Sequence, residues 1–472
     1  MNPDNFHAVI LGNGITGITA ARHLRVLRPD CRITVISAET EHFFSRTALM
    51  YLYMGHMEYH HLKPYEDGFW AKNRIELLHA FVSQIDTNAQ QLHYAREFSI
   101  HNQAITPGGT AQQLAYDVLL LATGSQYNRF GWPGQDLSGV QGLYGMPDVL
   151  QMETNTRDVR QAVIVGGGLI GIEMAEMLRT RDIDVTFLVR ETAFWSNVLP
   201  LEEAQLIGRH IREHHVDLRL EAELEKILDD GTGRVRAIVT KRGEEIPCQF
   251  VGLTTGVSPN VSLAKSAGLD TDRGILVDEF LQTSAPNVYA AGDCTQLRKP
   301  APGQKSVNQI WYTGRIMGET VARSLAGQRT AYQPGVFFNS AKFFDIEYQT
   351  YGNVPAKLPE GEQTFYWEFS SGGAARPGHL GGAKALRLNF RADTRALTGV
   401  NTFGLRLRHD VCDRWIKTGT PIEEVLENLP AANFDPEFFK QYEPEIVAAF
   451  NEQFGTKLRA KAKKGLFANL FS

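Results

Sequence analysis

The fold is predicted around the stretch Thr-Ser-Ala-Pro-Asn-Val-Tyr-Ala-Ala-Gly-Asp, which occupies residues 283–293. A short apolar strand here runs into Gly292 and Asp293, late in a chain of 472 residues. Glycine lets the backbone come close to a ligand because it has no Cβ. A carboxylate at the end of a strand lies where open α/β sheets bind their ligands. Ordinary turns also have such sequences, so the prediction depends on two further stretches that indicate the same kind of site.

Length and composition limit the class of protein. A chain of 472 residues is too long for one hydrophobic core, and about two to four domains are expected. The net charge of -5 gives no reason to expect a nucleic-acid partner. No run approaches the roughly 20 apolar residues of a membrane span, and a strand pattern that starts near His7 leaves no room for a signal peptide. We therefore expect a cytoplasmic protein.

The four cysteines are Cys31, Cys248, Cys294 and Cys412. They lie far apart and form no CxxC pair, which argues against a zinc site or a vicinal redox disulfide. The pattern favours four reduced, buried thiols over a catalytic role. Cys294 is the catalytic alternative because it follows Asp293.

The first of the two supporting stretches begins with a buried strand at residues 7–11 and continues into a helix at residues 18–27. Between them lie glycines at GxGxxG spacing, namely Gly12, Gly14 and Gly17. Such a loop allows a tight turn, close approach to a pyrophosphate and binding of the anion at a helix N-terminus. A second strand, Arg32 to Ile36, completes the βαβ unit, and Glu39 follows where a carboxylate would accept a ribose hydroxyl. Ala38 is the alternative for that position.

An aromatic- and methionine-rich segment, residues 42–57, contains Arg46 and is followed by a histidine cluster. A half-buried loop with solvated histidines is favoured over a metal site, because no carboxylate or cysteine clearly completes His56, His60 and His61. Farther along, residues 116–124 read as a buried strand that ends in Thr123-Gly124 and returns to the edge of the first sheet.

The second supporting stretch repeats the first about 150 residues later. A strand at residues 162–165 precedes a helix at 172–179, and the glycines between them are Gly166, Gly168 and Gly171. One GxGxxG motif is a weak signal, whereas two in a strand-loop-helix context predict a protein that binds two nucleotides.

The residue after the next strand, Asp184 to Val189, bears on the choice of nucleotide. Val189 stands where an acid would select the free 2′-hydroxyl of NADH, and Arg190 could accommodate the 2′-phosphate of NADPH. A solvated arginine is the alternative. Glu173, at the start of the preceding helix, either compensates the helix dipole or faces the nicotinamide.

The pattern changes after Arg329. Four stretches alternate at period two and predict an antiparallel sheet, namely 343–351, 363–369, 384–390 and 397–403. The chain becomes helical from about Arg406, with a capping box at Thr420, Pro421 and Glu423 and a helix starting at Asp435.

The final stretch combines basic residues with an apolar end. Its basic residues are Lys457, Arg459, Lys461, Lys463 and Lys464, and its apolar residues are Leu466, Phe467, Leu470 and Phe471. It could lie on a membrane surface or dock on an acidic partner. Packing on its own protein is the alternative.

Over roughly residues 7–352 the sequence resembles the two-dinucleotide-binding flavoproteins of the pyridine nucleotide-disulfide oxidoreductase family. The motifs that carry the resemblance are the two glycine loops, Ala122-Thr123-Gly124, Thr255 to Asn260 and Val288 to Asp293. The resemblance implies that the first loop binds FAD, that the second binds the nicotinamide nucleotide and that Asp293 holds the ribityl chain. Val82 and Gly256 are further candidates for cofactor contacts. Gln309 and Trp311 open the helix after the Gly-Asp motif and are candidates for the flavin edge, with core packing as the alternative.

Within the family, Phe44-Ser45-Arg46 is similar to the tyrosine-x-arginine segment of ferredoxin, rubredoxin and nitrite reductase flavoproteins. The peroxidase and coenzyme A-disulfide branch has a cysteine near Arg46, and none stands here, so disulfide chemistry is not expected. Related reductases pair a lysine with the glutamate equivalent to Glu173. Tyr51 stands at the lysine position, so that pair is not transferred. The resemblance makes Glu173 and Arg46 the candidates for catalytic roles.

The expected fold class is α/β, with two Rossmann-like, glutathione-reductase-like domains, an α+β C-terminal domain and a helical tail. Residues 1–145 and 265–328 are expected to form a split FAD domain around an NAD(P)H domain at 146–264. An antiparallel domain is expected at 329–405 and a helical extension with a basic tail at 406–472.

The expected reaction is hydride transfer from NAD(P)H to non-covalently bound FAD, followed by electron delivery to a ferredoxin- or rubredoxin-like protein. One alternative is a peripheral membrane NAD(P)H:quinone reductase that uses residues 455–472 as its membrane contact. Another is a non-enzymatic flavoprotein subunit or sensor. We further expect a homo-oligomer and no resident metal.

Overall fold

A computed structural model describes residues 6–301, 304–369, 383–435 and 440–461. The chain forms two compact units. The first unit comprises Met1–Leu188 and Ala222–Pro334, and the second comprises Val189–Glu221 and Gly335–Ser472.

The first unit contains most of the parallel strands. Its helices are Ile15–Leu27, Leu49–Tyr53, Gly68–Lys72, Met146–Asn155, Leu169–Arg179, Ser262–Ser266 and Trp311–Leu325, with 3-10 turns at Arg46–Ala48 and Tyr59–Leu62. Its strands are His7–Leu11, Arg32–Ser37, Ile75–His79, Phe81–Asp86, Gln91–Ala95, Glu97–His101, Ala104–Gly108, Gln112–Ala115, Val118–Leu121, Ser125–Tyr127, Val140–Gln141, Gln161–Val165, Asp184–Val189, Leu224–Asp229, Val235–Thr240, Glu245–Pro247, Phe250–Leu253, Val257–Pro259, Ile275–Val277, Val288–Ala290 and Thr295–Leu297.

Five parallel strands form what we call the first sheet. Their spatial order is Val288–Ala290, Val118–Leu121, His7–Leu11, Arg32–Ser37 and Ile75–His79. These strands are nearly continuous apolar runs because helices cover a parallel sheet on both faces. The expectation that the late Gly292-Asp293 stretch returns to the first sheet is confirmed, since Val288–Ala290 pairs with residues 119–121.

The second sheet contains the two strands of the second βαβ unit. Its strands within the first unit run in the order Val140–Gln141, Phe250–Leu253, Gln161–Val165 and Asp184–Val189, all parallel. Its core contains Val163, Leu188 and Val251. Both predicted strand-loop-helix units are therefore present, with the helices starting at Ile15 and Leu169 rather than at residues 18 and 172.

The second unit is built on an antiparallel C-terminal sheet. Its strand order is Phe338–Phe343, Ile346–Gly352, Leu397–Phe403, Lys384–Arg391 and Glu362–Phe369. The other elements of this unit are strand Asp217–Leu220 and helices Leu201–Glu213, His409–Thr418, Ile422–Glu427, Leu429–Ala432 and Glu443–Phe454.

One strand prediction in this sheet is wrong. Residues 343–351 were expected to form a single strand, but a two-residue turn at Phe344 and Asp345 divides the stretch into two paired strands. Phe344 has a positive φ of 54°. Turns of this kind usually contain Asn-Gly or Asp-Gly, and their absence concealed the hairpin.

The helices after residue 405 pack on the C-terminal sheet. Val411, Ile446 and Phe450 share a buried cluster with Leu388 and Phe390 of the sheet. The described part of the final stretch follows them, since Leu458 packs against this cluster and Lys461 Nζ lies 3.0 Å from Glu427. Packing on the same chain is therefore the observed arrangement up to residue 461. The basic and apolar residues from Lys463 onward lie outside the described residues.

The predicted capping box is wrong. Helix Ile422–Glu427 has Pro421 as its N-cap and no side-chain capping hydrogen bond. Thr420 instead contacts the hydroxyl of Thr418 at 2.8 Å, and Glu423 accepts hydrogen bonds from Arg395. The helix expected at Asp435 runs into residues 436–439, which lie outside the described part of the chain. Within the described residues, no helix has both the length and the apolarity needed to cross a membrane.

Candidate functional site

Four strands of the first sheet end at one edge. Leu11 pairs with Ile36 on one side and with Leu121 on the other, and Leu121 also pairs with Ala290. The residues that follow these strands therefore converge at the carboxyl edge of the sheet. Open parallel sheets bind ligands at this edge.

The glycines of the first loop have two different roles. Gly12 has a φ of 110°, and a Cβ there would lie 2.1 Å from the carbonyl oxygen of Ala122, while a Cβ at Gly17 would lie 2.0 Å from the carbonyl oxygen of Gly12. Packing within the protein therefore requires both. A Cβ at Gly14 would meet no protein atom within 4 Å. Gly14 is the N-cap of helix Ile15–Leu27, whose first turn has no acidic residue, so an anion can approach its backbone.

The second loop shows the same division. A Cβ at Gly166 would lie 2.5 Å from the carbonyl oxygen of Thr254, and one at Gly171 would lie 2.6 Å from that of Gly166. A Cβ at Gly168 would meet nothing within 4 Å, and Gly168 is the N-cap of helix Leu169–Arg179. In each loop the middle glycine thus borders open space at a helix N-terminus, which fits a pyrophosphate in both places.

A chain of polar contacts crosses the edge of the first sheet. Glu39 and Arg46 form a two-bond ion pair, with nitrogen-to-oxygen distances of 2.9 and 2.5 Å. The Arg46 guanidinium also donates to the carbonyl oxygen of Tyr144 at 2.8 Å and lies over its ring at 4.8 Å. The backbone N–H of Met146 donates to the Glu39 carboxylate at 2.9 Å. A carboxylate has about four acceptor sites, so Glu39 retains capacity for a ribose hydroxyl.

Asp293 is joined to this chain through Tyr144. The Tyr144 hydroxyl accepts a hydrogen bond from the N–H of Ser125 at 3.0 Å and donates to Asp293 Oδ2 at 3.2 Å. Burial raises the pKa of Asp293, while the hydrogen bond from Tyr144 and the charge of Arg46 oppose the rise. Asp293 remains half-buried, so its carboxylate is placed to receive a hydroxyl-bearing ligand.

The segment after Thr123 is held beside Asn260 and Gln309. The Asn260 side chain donates to the carbonyl oxygens of Thr123 and Ser125 at 2.9 and 3.1 Å. Gln309, just before helix Trp311–Leu325, donates to the Ser125 hydroxyl at 2.6 Å. Gly124 has a φ of 67°, which allows this tight turn. The structure therefore brings Thr123, Gly124, Gln309 and Asp293 to the region where the resemblance implies flavin contacts.

The carboxyl edge of the second sheet offers a different set of groups. The buried hydroxyl oxygen of Thr255 has no hydrogen-bond partner among the described residues. Gly256 follows with a φ of 89°. Half-buried Glu173 lies in the second turn of helix Leu169–Arg179, rather than at its start as expected. An orphaned hydroxyl and a glycine at a strand end fit a nucleotide ligand at this edge.

Two further candidates lie apart from these contacts. Val82 is buried in strand Phe81–Asp86, where it pairs with Tyr94. Arg190 directly follows strand Asp184–Val189, and its exposed side chain contacts Glu191 at 2.9 Å.

All four cysteines are free and buried. Burial raises the pKa of each thiol, to about 12 for Cys248 and Cys412. Cys294 is fully buried and directs its sulfur to the carbonyl oxygens of Leu121 and Ala291. A thiol of this kind is inert at neutral pH because the thiolate is the reactive form.

The sequence reasoning missed Tyr144 and Thr16. Tyr144 is 149 residues from Asp293 in the sequence, and no local motif marks it. The Thr16 hydroxyl would lie 2.4 Å from a Cβ at Gly292, and the Thr16 carbonyl oxygen would lie 2.6 Å from one at Gly318. The glycines at 292 and 318 are the sequence signal that could have indicated this close packing against Thr16.

The chain has one glycine loop on each of two parallel sheets. This arrangement is typical of proteins that bind two dinucleotides. The profile of the pyridine nucleotide-disulphide oxidoreductase family matches residues 6–318. The chain belongs to this family. FAD and NAD(P)H are the family's cofactors, and the chain is an oxidoreductase.

Relatives extend the comparison. The chain is 29% identical over 455 residues to an NAD(P)H coenzyme A polysulfide/persulfide reductase of Pyrococcus horikoshii, covering 93% of this chain and 97% of the relative. It is 28% identical over 320 residues to the ferredoxin–NAD(+) reductase component of the biphenyl dioxygenase system of Paraburkholderia xenovorans, covering 68% and 74%. The crystal structure of a ferredoxin reductase from Rhodopseudomonas palustris shares the fold, with a TM-score of 0.72, 24% identity and coverage of 85% and 91%.

These findings confirm the predicted family, the α/β fold with parallel-sheet dinucleotide-binding domains, and the cofactors FAD and NAD(P)H. They also confirm the prediction that the chain is an NAD(P)H-dependent oxidoreductase.

Proposed function

We propose that the chain transfers electrons from NAD(P)H through FAD to a small redox protein of the ferredoxin or rubredoxin type, without thiol chemistry. The observation that carries the proposal is the state of the four cysteines, which are all free, buried and raised in pKa. An enzyme that exchanges sulfur through a thiol needs an accessible thiolate. The relative from Paraburkholderia xenovorans, named as a ferredoxin–NAD(+) reductase component, supports this acceptor class.

The residues at the edge of the first sheet bind and orient the flavin. FAD supplies the hydride-accepting chemistry when it is bound. The Gly14 loop receives the pyrophosphate, Glu39 receives a ribose hydroxyl and Asp293 receives the ribityl chain. Arg46 holds Glu39 in place by its two-bond ion pair. Thr123, Gly124, Gln309 and Val82 complete the proposed contacts.

The residues at the edge of the second sheet bind and orient the nicotinamide nucleotide. Gly166, Gly168 and Gly171 form the loop for its pyrophosphate, and Gly256 leaves room beside the orphaned hydroxyl of Thr255. Alignment of donor and acceptor supplies most of the rate of such a hydride transfer. We propose that Glu173 faces the reacting rings, because its helix contacts helix Leu49–Tyr53, which follows Arg46 in the chain.

A second candidate function is reduction of polysulfide or persulfide. The relative from Pyrococcus horikoshii favours it, since the similarity extends over 97% of that protein. Buried thiols weigh against it, as does the lack of a cysteine near Arg46 in the sequence, where the resemblance implies one for the coenzyme A-disulfide branch.

Thiol alkylation separates the two candidates. The flavin-loaded protein is treated anaerobically with excess NADH and iodoacetamide, and its activity is then measured with a ferredoxin and with polysulfide. We expect no alkylated cysteine by mass spectrometry and unchanged reduction of the ferredoxin. Alkylation of one cysteine with parallel loss of activity would establish a thiol mechanism and overturn the proposal.

Arg190 bears on the preference between the two nucleotides. We propose that it accommodates the 2′-phosphate of NADPH, for which it must exchange its contact with Glu191 for a phosphate contact. In Arg190→Ala, kcat/KM for NADPH should fall about tenfold while that for NADH changes less than twofold, a difference of about 1.4 kcal/mol. Equal effects on both nucleotides would contradict this role.

The domain organisation remains part of the proposal. We propose a split FAD domain at 1–145 and 265–328, an NAD(P)H domain at 146–264, an antiparallel domain at 329–405 and an extension at 406–472. The return of strand Val288–Ala290 to the first sheet supports the split. A homo-oligomer and a cytoplasmic location are proposed with it.

The peripheral membrane alternative concerns residues 455–472. The contacts of Leu458 and Lys461 with the second unit favour packing on the same chain. Flotation with anionic liposomes, with and without these residues, tests it. Flotation that depends on residues 455–472 would favour a quinone reductase.

A further inference from the structure

A cluster of metal-ligating side chains lies in the second unit, apart from the glycine loops. His210 and His214 are one turn apart at the end of helix Leu201–Glu213, on the same face. Asp345 lies in the two-residue turn that joins strands Phe338–Phe343 and Ile346–Gly352. One ligand atom from each of the three side chains lies within 4.8 Å of the others.

The three side chains converge on one point. His210 Nε2 lies 2.6 Å from Asp345 Oδ1, and His214 Nε2 lies 3.1 Å from the same oxygen. The two imidazole rings meet edge to face, with their centroids 4.5 Å apart. Two imidazole nitrogens and a carboxylate oxygen therefore face one another.

His210 is the least exposed member, with 6% of its side chain accessible. Its Nδ1 is 3.3 Å from the Glu213 carboxylate, so the tautomer with its proton on Nδ1 leaves Nε2 available as a ligand. Its Nε2 faces Asp345 Oδ1, and the contacts with both histidines hold the pKa of the Asp345 carboxyl far below its usual range, so this oxygen is a charged carboxylate ligand.

The turn that carries Asp345 has an unusual sequence. Phe344 adopts a φ of 54°, which is rare for a bulky residue. Its ring stacks on His214, with centroids 4.2 Å apart and an interplanar angle of 5°. Phe344 and Asp345 are not residues that favour such a turn, but both of their side chains contact the histidines.

We propose that His210, His214 and Asp345 bind one divalent transition-metal ion, with Zn²⁺ as the ion that fits best. Imidazole nitrogens suit zinc, copper, iron and nickel, whereas magnesium and calcium prefer oxygen ligands. Zn²⁺ accepts two imidazoles and one carboxylate, with water as the fourth ligand. Glu213 holds the His210 ring from the other side, as carboxylates do for zinc-bound histidines.

The bound ion would join the end of helix Leu201–Glu213 to the hairpin of the C-terminal sheet. All three ligands lie within the second unit, so the ion would connect two elements of that unit, with one coordination position left to water. Binding that occurs only in the folded state stabilises that state in proportion to the logarithm of ligand saturation. The proposal therefore predicts a zinc-dependent thermal stability.

The test uses the full-length, flavin-loaded protein after removal of metals with EDTA and desalting. Zn²⁺ is titrated in competition with a fluorescent zinc indicator, and Mg²⁺ is titrated for comparison. We expect one equivalent of Zn²⁺ with a micromolar or lower Kd, no competition by Mg²⁺, and a rise in Tm of about 5 °C at saturation.

Variants locate the site. Asp345→Asn keeps the shape of the turn and should weaken zinc binding at least tenfold, and His214→Ala should abolish the rise in Tm. Glu213→Gln should weaken binding roughly tenfold through His210. The matched control is His215→Asn, because exposed His215 lies next to the cluster but outside it and has a φ of 59° that asparagine tolerates.

Retained flavin content verifies that each variant is folded. Absence of stoichiometric zinc binding in the unmodified protein would overturn the proposal and leave Asp345 as the ion-pair partner of two histidines. Equal binding by Asp345→Asn and by the unmodified protein would overturn it as well.

Discussion

Two carboxylate–arginine pairs, one in each unit, differ in what remains available to a ligand. In the first unit, Glu39 and Arg46 pair at the edge of the first sheet, with 22% and 31% of their side chains exposed. In the second unit, Glu203 and Arg387 pair with 0% and 4% exposed. Asn401 donates to the other Glu203 oxygen at 2.8 Å, so both carboxylate oxygens have partners.

The difference distinguishes a structural pair from a binding pair. Removing a charge from the interior pair leaves its partner charged and buried, which is costly. The pair at the sheet edge is partly exposed and retains acceptor capacity. We therefore expect substitutions in the second unit to change stability and substitutions at the sheet edge to change cofactor binding.

The largest expected effect is in the second unit. Glu203→Gln should lower the free energy of unfolding by about 3 kcal/mol, because it leaves the Arg387 charge with Glu202 as its only remaining carboxylate contact among the described residues. Chemical denaturation followed by circular dichroism measures the change. The control is Glu202→Gln, whose side chain is 55% exposed and which should cost less than about 1 kcal/mol. Equal losses in the two variants would contradict the interior role of Glu203.

The next effect concerns the space at Gly14. Gly14→Ala should reduce FAD affinity by about 2 kcal/mol, since the new Cβ would enter the open space that we propose for the pyrophosphate, while the stability of the flavin-free protein is unchanged. Gly68→Ala is a matched control because a Cβ there also meets nothing within 4 Å. Titration of the flavin-free proteins with FAD gives the affinities. Unchanged affinity in Gly14→Ala would place the pyrophosphate elsewhere.

A smaller effect is expected for Glu39. Glu39→Gln keeps the shape of the side chain but weakens both the ion pair with Arg46 and the contact to a ribose hydroxyl. We expect FAD to bind about tenfold more weakly, a change of about 1.4 kcal/mol, with little change in reduction rate at saturating FAD. A selective loss of reduction rate would assign Glu39 a role in the reaction instead.

The smallest effect is a pH dependence of folding stability that comes from Asp148, which interacts with the charges of the same Glu39–Arg46 pair. Asp148 accepts hydrogen bonds from the N–H groups of Tyr144 and Gly145, yet burial raises its pKa from 3.8 to about 6. The folded state then binds the proton more tightly than the unfolded state, so stability is favoured below about pH 4 and declines as the pH rises to about 6. Removing this group in Asp148→Asn should flatten the pH profile of stability over that window. A parallel profile in the variant would show that another group titrates.

The parts of the fold that could be predicted from the sequence are those whose chemistry is local. Gly12, Gly14 and Gly17 lie within one turn and one helix start, and the apolar strands beside them identify their sheet. The Phe344–Asp345 turn was not predictable because it lacks the usual turn residues. The side chains of this turn contact His210 and His214, which lie at least 130 residues away in the sequence.

The candidate site was partly predictable for the same reason. Asp293 was recognised from its strand and the preceding glycine, whereas Tyr144 has no local signal and contacts Asp293 only in the folded chain. Glu39 was predicted as a ribose ligand, but its pairing with Arg46 depends on the course of the chain between them. Sequence spacing indicates which groups reach a strand end, and packing determines which of them meet.

The central claim is that the two glycine loops bring a nicotinamide nucleotide to a flavin without participation of a thiol. Anaerobic stopped-flow reduction of the purified flavoprotein by NADH and by NADPH tests it most directly, before and after treatment with iodoacetamide. We predict rapid bleaching of the flavin by at least one nucleotide, at the same rate in both preparations. Absence of bleaching with either nucleotide would contradict the claim and favour a non-enzymatic flavoprotein, and bleaching that is lost after alkylation would show that a thiol takes part.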